Sequence, residues 1–311
     1  MRASVIVCTY NRAHLLDDLL AALEAELAGA DAEIVVVDNA STDGTEAVVR
    51  AAAVTVPLQY VLEPRLGLSH ARNRGVVEST GEIVVFIDDD ALPAPGWLAA
   101  HLRPYADDPR LGTVGGPIQL RYAEGVREPW WLSPLFHGTL GAYDMGPVVR
   151  PYDDGTATPP GGNMSLRRAA LDEAGLFDTE LGRSGDSYLA GEEFVLVHRL
   201  YSAGWSGRYI PEALAFHLVP AERLRLSWFR NRFHANWETS AALAERGFAG
   251  RSASSPLGSL LRMLAHDAAR VVTGPRAADR MYWAVRLETH LAELARFLVA
   301  RRRPWAGKAR G

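Results

Sequence analysis

The sequence holds one cysteine, Cys8, and one lysine, Lys308, among 311 residues. A single thiol excludes an internal disulfide framework and a thiolate metal cluster, and makes a reducing compartment the simpler expectation. No stretch reaches the roughly 18 uncharged apolar residues that suggest a membrane-spanning helix. The apolar run at residues 3–8 is too short for a secretory signal. A cytoplasmic protein is therefore expected, peripheral at most to the inner face of a membrane. There is no internal repeat or low-complexity tract, and glycine and proline are ordinary, which disfavours collagen-like, coiled-coil and disordered chains. Two phosphate cradles are missing as well. No G-x-G-x-x-G follows the first apolar run and no G-x-x-x-x-G-K-[ST] occurs, so NAD-type dehydrogenases and P-loop NTPases are disfavoured.

What is present is charge of both signs, unevenly placed. The net charge is −4, yet residues 262–311 carry 11 basic and 4 acidic side chains, leaving −11 on residues 1–261. An acidic body argues against nucleic acid as the main partner, and the basic end suits an anionic surface. The length allows one large α/β domain with an appendage, or two ordinary domains.

The first third alternates strand and helix. Ser4-Val5-Ile6-Val7-Cys8, Glu33-Ile34-Val35-Val36-Val37 and Ile83-Val84-Val85-Phe86-Ile87 are continuous apolar runs, as strands covered on both faces are, with a weaker run at 58–62. Helical patterns lie between them over residues 15–23, 43–53 and 68–77. Spacings of about 25 to 30 residues suit successive βαβ units and a mostly parallel sheet. Beyond Pro93 the spacing predicts a helix over 96–105, a strand over 113–120, and an irregular Gly-, Pro- and aromatic-rich stretch over 122–162. Helices over 167–175 and 191–203 and strands over 206–210 and 213–217 follow, and from Leu226 the chain reads as helical and Arg-rich.

Ligands bind beyond the carboxyl ends of strands in open parallel sheets. The polar clusters stand there: Thr9-Tyr10-Asn11-Arg12 after the first run, Asp38-Asn39-Ala40-Ser41-Thr42-Asp43-Gly44 after the second, and Asp88-Asp89-Asp90 after the last. Helix caps and turns are the alternative for any one cluster. Three carboxylates at a partly buried edge favour a raised pKa or a bound cation, and oxygen donors favour Mg²⁺ or Mn²⁺. Arg72 and Arg74 enter the same region on a helix, where a guanidinium pairs well with a diphosphate.

These segments resemble family 2 glycosyltransferases of the GT-A fold. The signatures are Val5 to Arg12, Val37 to Thr45, Gly67 to Gly75 and Phe86 to Asp90, continuing through Pro160-Gly161-Gly162-Asn163-Met164-Ser165 and Gly191-Glu192-Glu193. The resemblance implies a Rossmann-like α/β fold whose mostly parallel sheet is flanked by helices. It implies a catalytic domain at 1–220, with a nucleotide-binding half at 1–92 and an acceptor-binding half at 93–220, and a helical extension at 221–311. It also implies inverting transfer from a nucleotide sugar, UDP-linked by preference, with Mn²⁺ or Mg²⁺. Donor-nucleotide contacts fall on Thr9, Tyr10, Arg12, Asp38, Asn39, Arg72, Asp88 and Asp89, and the metal on Asp90, Asp88 and His217.

The family carries an acidic pair, usually Glu-Asp, below the acceptor site, and Glu192-Glu193 stands there, so Glu193 or Glu192 is the implied base. Acids in a first helical turn also simply suit the helix dipole. Gly161, Gly162 and Asn163 permit close approach of a sugar or form a turn before a helix. Trp130 and Trp131 are placed to stack on a sugar or to pack inside. The implied partners are a nucleotide-sugar donor and a carbohydrate, lipid-linked or small natural-product acceptor. The C-terminal helices are expected to pack on the catalytic domain or on a second copy of the chain, with an anionic membrane surface as the alternative partner. A non-catalytic nucleotide-sugar binder or assembly protein and a sugar-nucleotidyltransferase are the alternatives.

Overall fold

The computed structural model describes residues 1–152, 157–185, 187, 189–248 and 256–302. The chain forms two compact units, one of Met1–Ala123 with Leu140–Val219 and the other of Glu124–Thr139 with Pro220–Gly311.

In the first unit, β1 (Ala3–Thr9), α1 (Ala13–Leu27), β2 (Ala32–Asp38), α2 (Thr45–Ala51), β3 (Leu58–Leu62), α3 (Leu68–Glu78) and β4 (Ile83–Asp88) follow the alternation read from the sequence. Then come β5 (Ala91–Pro93), α4 (Trp97–Asp107), β6 (Leu111–Gly115), β7 (Ile118–Tyr122), β8 (Arg150–Pro151), β9 (Asn163–Arg167), α5 (Arg168–Ala174), α6 (Glu192–Ser202), β10 (Ser206–Tyr209) and β11 (Ala215–Val219). An eight-stranded sheet has the order β3-β2-β1-β4-β9-β6-β10-β8, and a second sheet has the order β5-β11-β7.

The apolar runs of β1, β2 and β4 are continuous because both faces are covered. Val5, Val7, Ile34, Val36, Val85 and Ile87 pack against α1 and α4 through Leu16, Leu19, Leu23 and Trp97. Ile6, Val35, Val37, Val84 and Phe86 face α3, α5 and α6 through Ala71, Val76, Leu171 and Leu196. Each such side chain contributes about 1.5–3 kcal/mol by leaving water.

The sheet is parallel from β3 to β4 and mixed beyond. β9 runs antiparallel between β4 and β6, and β8 antiparallel to β10. The strand expected over 113–120 is two strands in different sheets. Gly116 lies so close to Ala213 that a Cβ would sit 1.9 Å from its carbonyl oxygen, and Pro117 has no N–H to extend a ladder. Within the stretch over 122–162, Tyr143, Arg150–Pro151 and Tyr152 join the sheets. Ile118 and Tyr143 exchange backbone hydrogen bonds, Tyr152 N–H donates to Gly207, and Tyr209 hydroxyl donates to Asp144 at 2.8 Å.

Asn163 does not precede a helix. It opens β9 in mid-sheet, fully buried, with its amide nitrogen donating to Pro117 and Ala213 carbonyls at 2.9 and 2.8 Å. Its Oδ1 accepts from Trp97 Nε1 at 2.7 Å and lies 3.1 Å from His101 Nε2, which must therefore carry that ring's proton. Burial lowers His101 to about 4, so the ring stays neutral. Asn163→Ala is expected to cost roughly 3 kcal/mol or more, since several buried donors and acceptors lose their partner at about 1–3 kcal/mol each. A urea-unfolding midpoint equal to that of the parent protein would contradict this role.

The second unit contains α7 (Leu226–Glu245), α8 (Pro256–Thr273) and α9 (Ala277–Arg302), with a 3₁₀ turn at Pro134–Phe136. Phe136 is fully buried against Phe229, Tyr282 and Trp131, at ring-centroid distances of 4.4, 4.9 and 5.7 Å. The helices also share buried carboxylates. Asp267 of α8 meets Arg286 and His290 of α9 at 3.4 and 3.0 Å, and Glu293 of α9 meets His234 of α7 at 2.8 Å. No helix among the described residues is long and apolar enough to cross a membrane. Residues 303–311, with three of the 11 basic side chains of the C-terminal end, lie outside the described residues.

Candidate active site

Register brings the polar clusters together. Across the carboxyl ends of β1, β2 and β4, Thr9 stands beside Asp38 and Cys8 beside Asp88. The first two loops lock onto each other: Asn11 N–H donates to Ser41 Oγ at 2.9 Å, and Asn11 Oδ1 accepts from Thr42 N–H at 2.7 Å. Both turns use left-handed backbone at non-glycine residues, Asn11 at φ 53° and Ala40 at φ 62°. That strain is the kind that tends to be held at functional sites.

Asp38 is buried. Its Oδ1 accepts from Ser41 N–H and its Oδ2 from the Tyr60 hydroxyl, each at 2.8 Å. Tyr60, on β3, is absent from the candidate residues because nothing near it in sequence marks it. Asn39 works within the protein: its amide donates to the carbonyls of Glu63 and Arg65 and its Oδ1 accepts from Gly67 N–H. It thereby fixes the loop that leads into α3. Tyr10 is exposed.

The acidic run is less bare than its sequence suggests. Asp89 is buried, accepts from Thr9 Oγ1 at 2.9 Å and pairs with Arg12 at 2.7 Å. Burial, opposed by Arg12, pushes the Asp89 carboxyl up to about 6. Asp90 pairs with Arg12 at 3.0 Å and lies 3.3 Å from His217 Nε2. Thr9 and Arg12 are thus engaged with the second and third aspartates rather than left as an open contact surface. One guanidinium thus pairs with two of the three carboxylates and offsets one unit of their charge. Asp88 alone keeps an accessible side chain, 43 % exposed.

His217 arrives through the small sheet, where it registers with Ala91 while Leu218 N–H donates to the Asp90 carbonyl. Among the described residues no group of three or more His, Cys, Asp or Glu side chains is arranged to hold a metal ion. The donor chemistry of Asp90, His217 and Asp88 nonetheless fits a hard divalent cation. Such an ion ordinarily takes one or two carboxylates and completes its shell with water and phosphate.

Arg72, expected at the diphosphate, is 3 % exposed, with Nη1 2.6 Å from Glu192 Oε1 and Nη2 3.8 Å from Asp88 Oδ1. Gly161 and Gly162 make room for these charges. A Cβ on Gly161 would lie 2.8 Å from Arg72 Nη2, and one on Gly162 would lie 2.3 Å from Asp88 Oδ2.

Glu192 and Glu193 form the first turn of α6. Burial first, then the neighbouring Glu192 carboxylate, pushes Glu193 up to about 8 against the pull of Arg72. Of the remaining candidates, Trp131 belongs to the aromatic core of the second unit, and Trp130 is 74 % exposed. Burial pushes the Cys8 thiol up to about 12, so Cys8 stays protonated near neutral pH.

The family model for Glycosyl transferase family 2 matches residues 4–175, more than half of the chain. The chain belongs to glycosyl transferase family 2. This family 2 glycosyltransferase is 30 % identical to the succinoglycan biosynthesis protein ExoM of Rhizobium meliloti, over 94 % of the chain and 91 % of that protein. It is 24 % identical to the glucosyl-dolichyl phosphate glucuronosyltransferase of Haloferax volcanii, over 76 % of the chain and 75 % of that enzyme. Among solved structures it resembles the mannosyltransferase PcManGT of Pyrobaculum calidifontis, in complex with GDP-Man and Mn²⁺. That match has a TM-score of 0.57 at 26 % identity and covers 96 % of this chain and 88 % of the other. A GalNAc-T7 structure with UDP, GalNAc and Mn²⁺ shares the fold at TM-score 0.53 and 17 % identity, covering 98 % of this chain and 58 % of that one. The GT-A fold and glycosyltransferase activity expected from the motifs are therefore established, and the sugar-nucleotidyltransferase alternative falls away.

Proposed function

We propose that this glycosyltransferase moves a sugar, with inversion, from a nucleoside-diphosphate sugar to a hydroxyl of a saccharide acceptor. The observation that carries the reading is Glu193: a carboxyl raised to about 8, linked through Glu192 and Arg72 to Asp88 at the donor edge. A base of that strength suits removal of a hydroxyl proton near neutral pH. Glu193 takes the acceptor proton as the acceptor oxygen attacks the anomeric carbon. The bond to the diphosphate oxygen breaks, and its electron pair leaves with the nucleoside diphosphate. One displacement from the opposite face inverts the anomeric configuration.

Asp90 with His217, and Asp88, would hold Mn²⁺ or Mg²⁺, which supplies charge neutralisation to the departing diphosphate. Both structural neighbours contain Mn²⁺. We take the base to be uracil, whose single ring N–H Asp38 can accept: each of its oxygens receives one protein hydrogen bond and keeps a further acceptor site. The relatives' names point to succinoglycan biosynthesis and to a glucosyl-dolichyl phosphate acceptor, and we take the acceptor to be a lipid-carried saccharide.

A thermal-shift screen of UDP-, GDP- and TDP-sugars with Mn²⁺ tests the donor half, since binding stabilises the native state by mass action. UDP-sugars are expected to raise Tm. A shift confined to GDP-sugars would overturn the base assignment, and no shift with any of them would overturn the donor class.

A further inference from the structure

The guanidinium of Arg72 joins three elements. α3 delivers it, β4 supplies Asp88 at 3.8 Å, and α6 supplies Glu192 at 2.6 Å. The rings of Phe86 and Phe177 lie 5.8 and 5.5 Å from its central carbon, and the Gly161 backbone closes the remaining side. A buried cation so enclosed has little freedom to swing towards a ligand. Glu192 Oε2 and Glu193 Oε2 are both buried and receive no hydrogen bond from a described donor. The two carboxyls stand on adjacent residues in the first turn of α6. The charged groups facing Glu193 are thus Glu192 of its own helix and Arg72 of α3, with Asp88 of β4 on the far side of Arg72.

We propose that Arg72 is a positioning residue: it holds Glu192 as a fixed carboxylate, and Glu192 in turn keeps the proton on Glu193 until an acceptor is engaged. The inference rests on Glu193 as the base and divides the acidic pair between two roles, one glutamate supplying field and the other moving the proton. It also accounts for arginine here. A planar fork contacts two carboxylates from one fixed position, whereas a lysine ammonium is a single point on a flexible stem. The contact with Asp88 ties the acidic pair to the donor edge of the sheet.

The test follows the protonated-carboxyl infrared band of Glu193, isolated as the difference between the parent protein and Glu193→Gln, across pH without any ligand. In Glu192→Gln the like charge is gone, and the proton affinity of Glu193 is expected to fall tenfold or more. In Arg72→Lys the hold on Glu192 weakens, and the affinity is expected to rise. The double variant Arg72→Met/Glu192→Gln removes both charges together, which buried pairs tolerate better than loss of one partner. It is expected to titrate below the parent but above Glu192→Gln, because the like charge of Glu192 and the weaker direct pull of Arg72 are lost together. An unmoved midpoint in both folded single variants would overturn the proposal. So would a double variant that titrates at or above the parent, since Glu192 would then not outweigh Arg72 at Glu193. The base reading fails separately, if Glu193→Gln still hydrolyses UDP-glucose in Mn²⁺ at the parent rate while the titrations behave as stated.

Discussion

Glu193→Gln is expected to lower sugar transfer by roughly 10² to 10⁴ while leaving Mn²⁺-dependent nucleotide affinity near that of the parent, because positioned proton transfer contributes about that much to a rate. The amide occupies the same space and forms hydrogen bonds, so the change removes a proton acceptor more than a packing element. The pH dependence gives the loss a signature. Only the ionised carboxyl accepts a proton, so the parent rate should climb with pH and level off above about 8. That limb should vanish in the variant. Stability carries the same mark with the opposite slope. Between the ordinary glutamate range and about 8 the native state holds a proton on Glu193 that the unfolded chain has released. Native stability therefore declines as pH rises through that window. Urea midpoints measured across it should show the decline in the parent and lose it in Glu193→Gln. Transfer at the parent rate by this variant would remove Glu193 from the chemistry.

Asp90→Ala is expected to abolish the Mn²⁺-dependent part of donor binding, a loss of roughly 100-fold, or about 2.7 kcal/mol. Asp90 is buried, touches His217 and shares Arg12 with Asp89. Its removal takes an oxygen donor from the cation while Arg12 keeps its pairing with Asp89. Calorimetry of UDP binding in Mn²⁺ and in chelator separates the two contributions. Equal Mn²⁺-dependent affinity in the parent and the variant would refute the metal role. The thermal unfolding of the variant, measured alongside, distinguishes loss of a ligand from loss of the fold.

Asp90 also shows how far linear sequence carries. Its place after an apolar strand put it at the carboxyl edge of the sheet, and its oxygen donors are the reason Mn²⁺ or Mg²⁺ is expected there. Its neighbours came from elsewhere: Arg12 from the loop after β1, and His217 from a strand paired beside Ala91 in a separate small sheet. Asn163 teaches the complementary lesson. Beside two glycines it reads as a site residue, yet it spends every polar atom inside the fold. Trp131 likewise packs on Phe136 and Phe229.

The sequence alone determined the strand–helix alternation, the parallel run from β3 to β4, the polar carboxyl edge and the family. These follow from apolar periodicity and short motifs, which are local and survive without knowledge of distant contacts. Only the tertiary structure decided that Arg72 binds Glu192, that Arg12 pairs with Asp89 and Asp90, and that Tyr60 braces Asp38. Each of those is a pairing across the chain. A charge or hydroxyl keeps the same local pattern whoever its partner is, so the partner, and with it the proton affinity of Glu193, is set by packing.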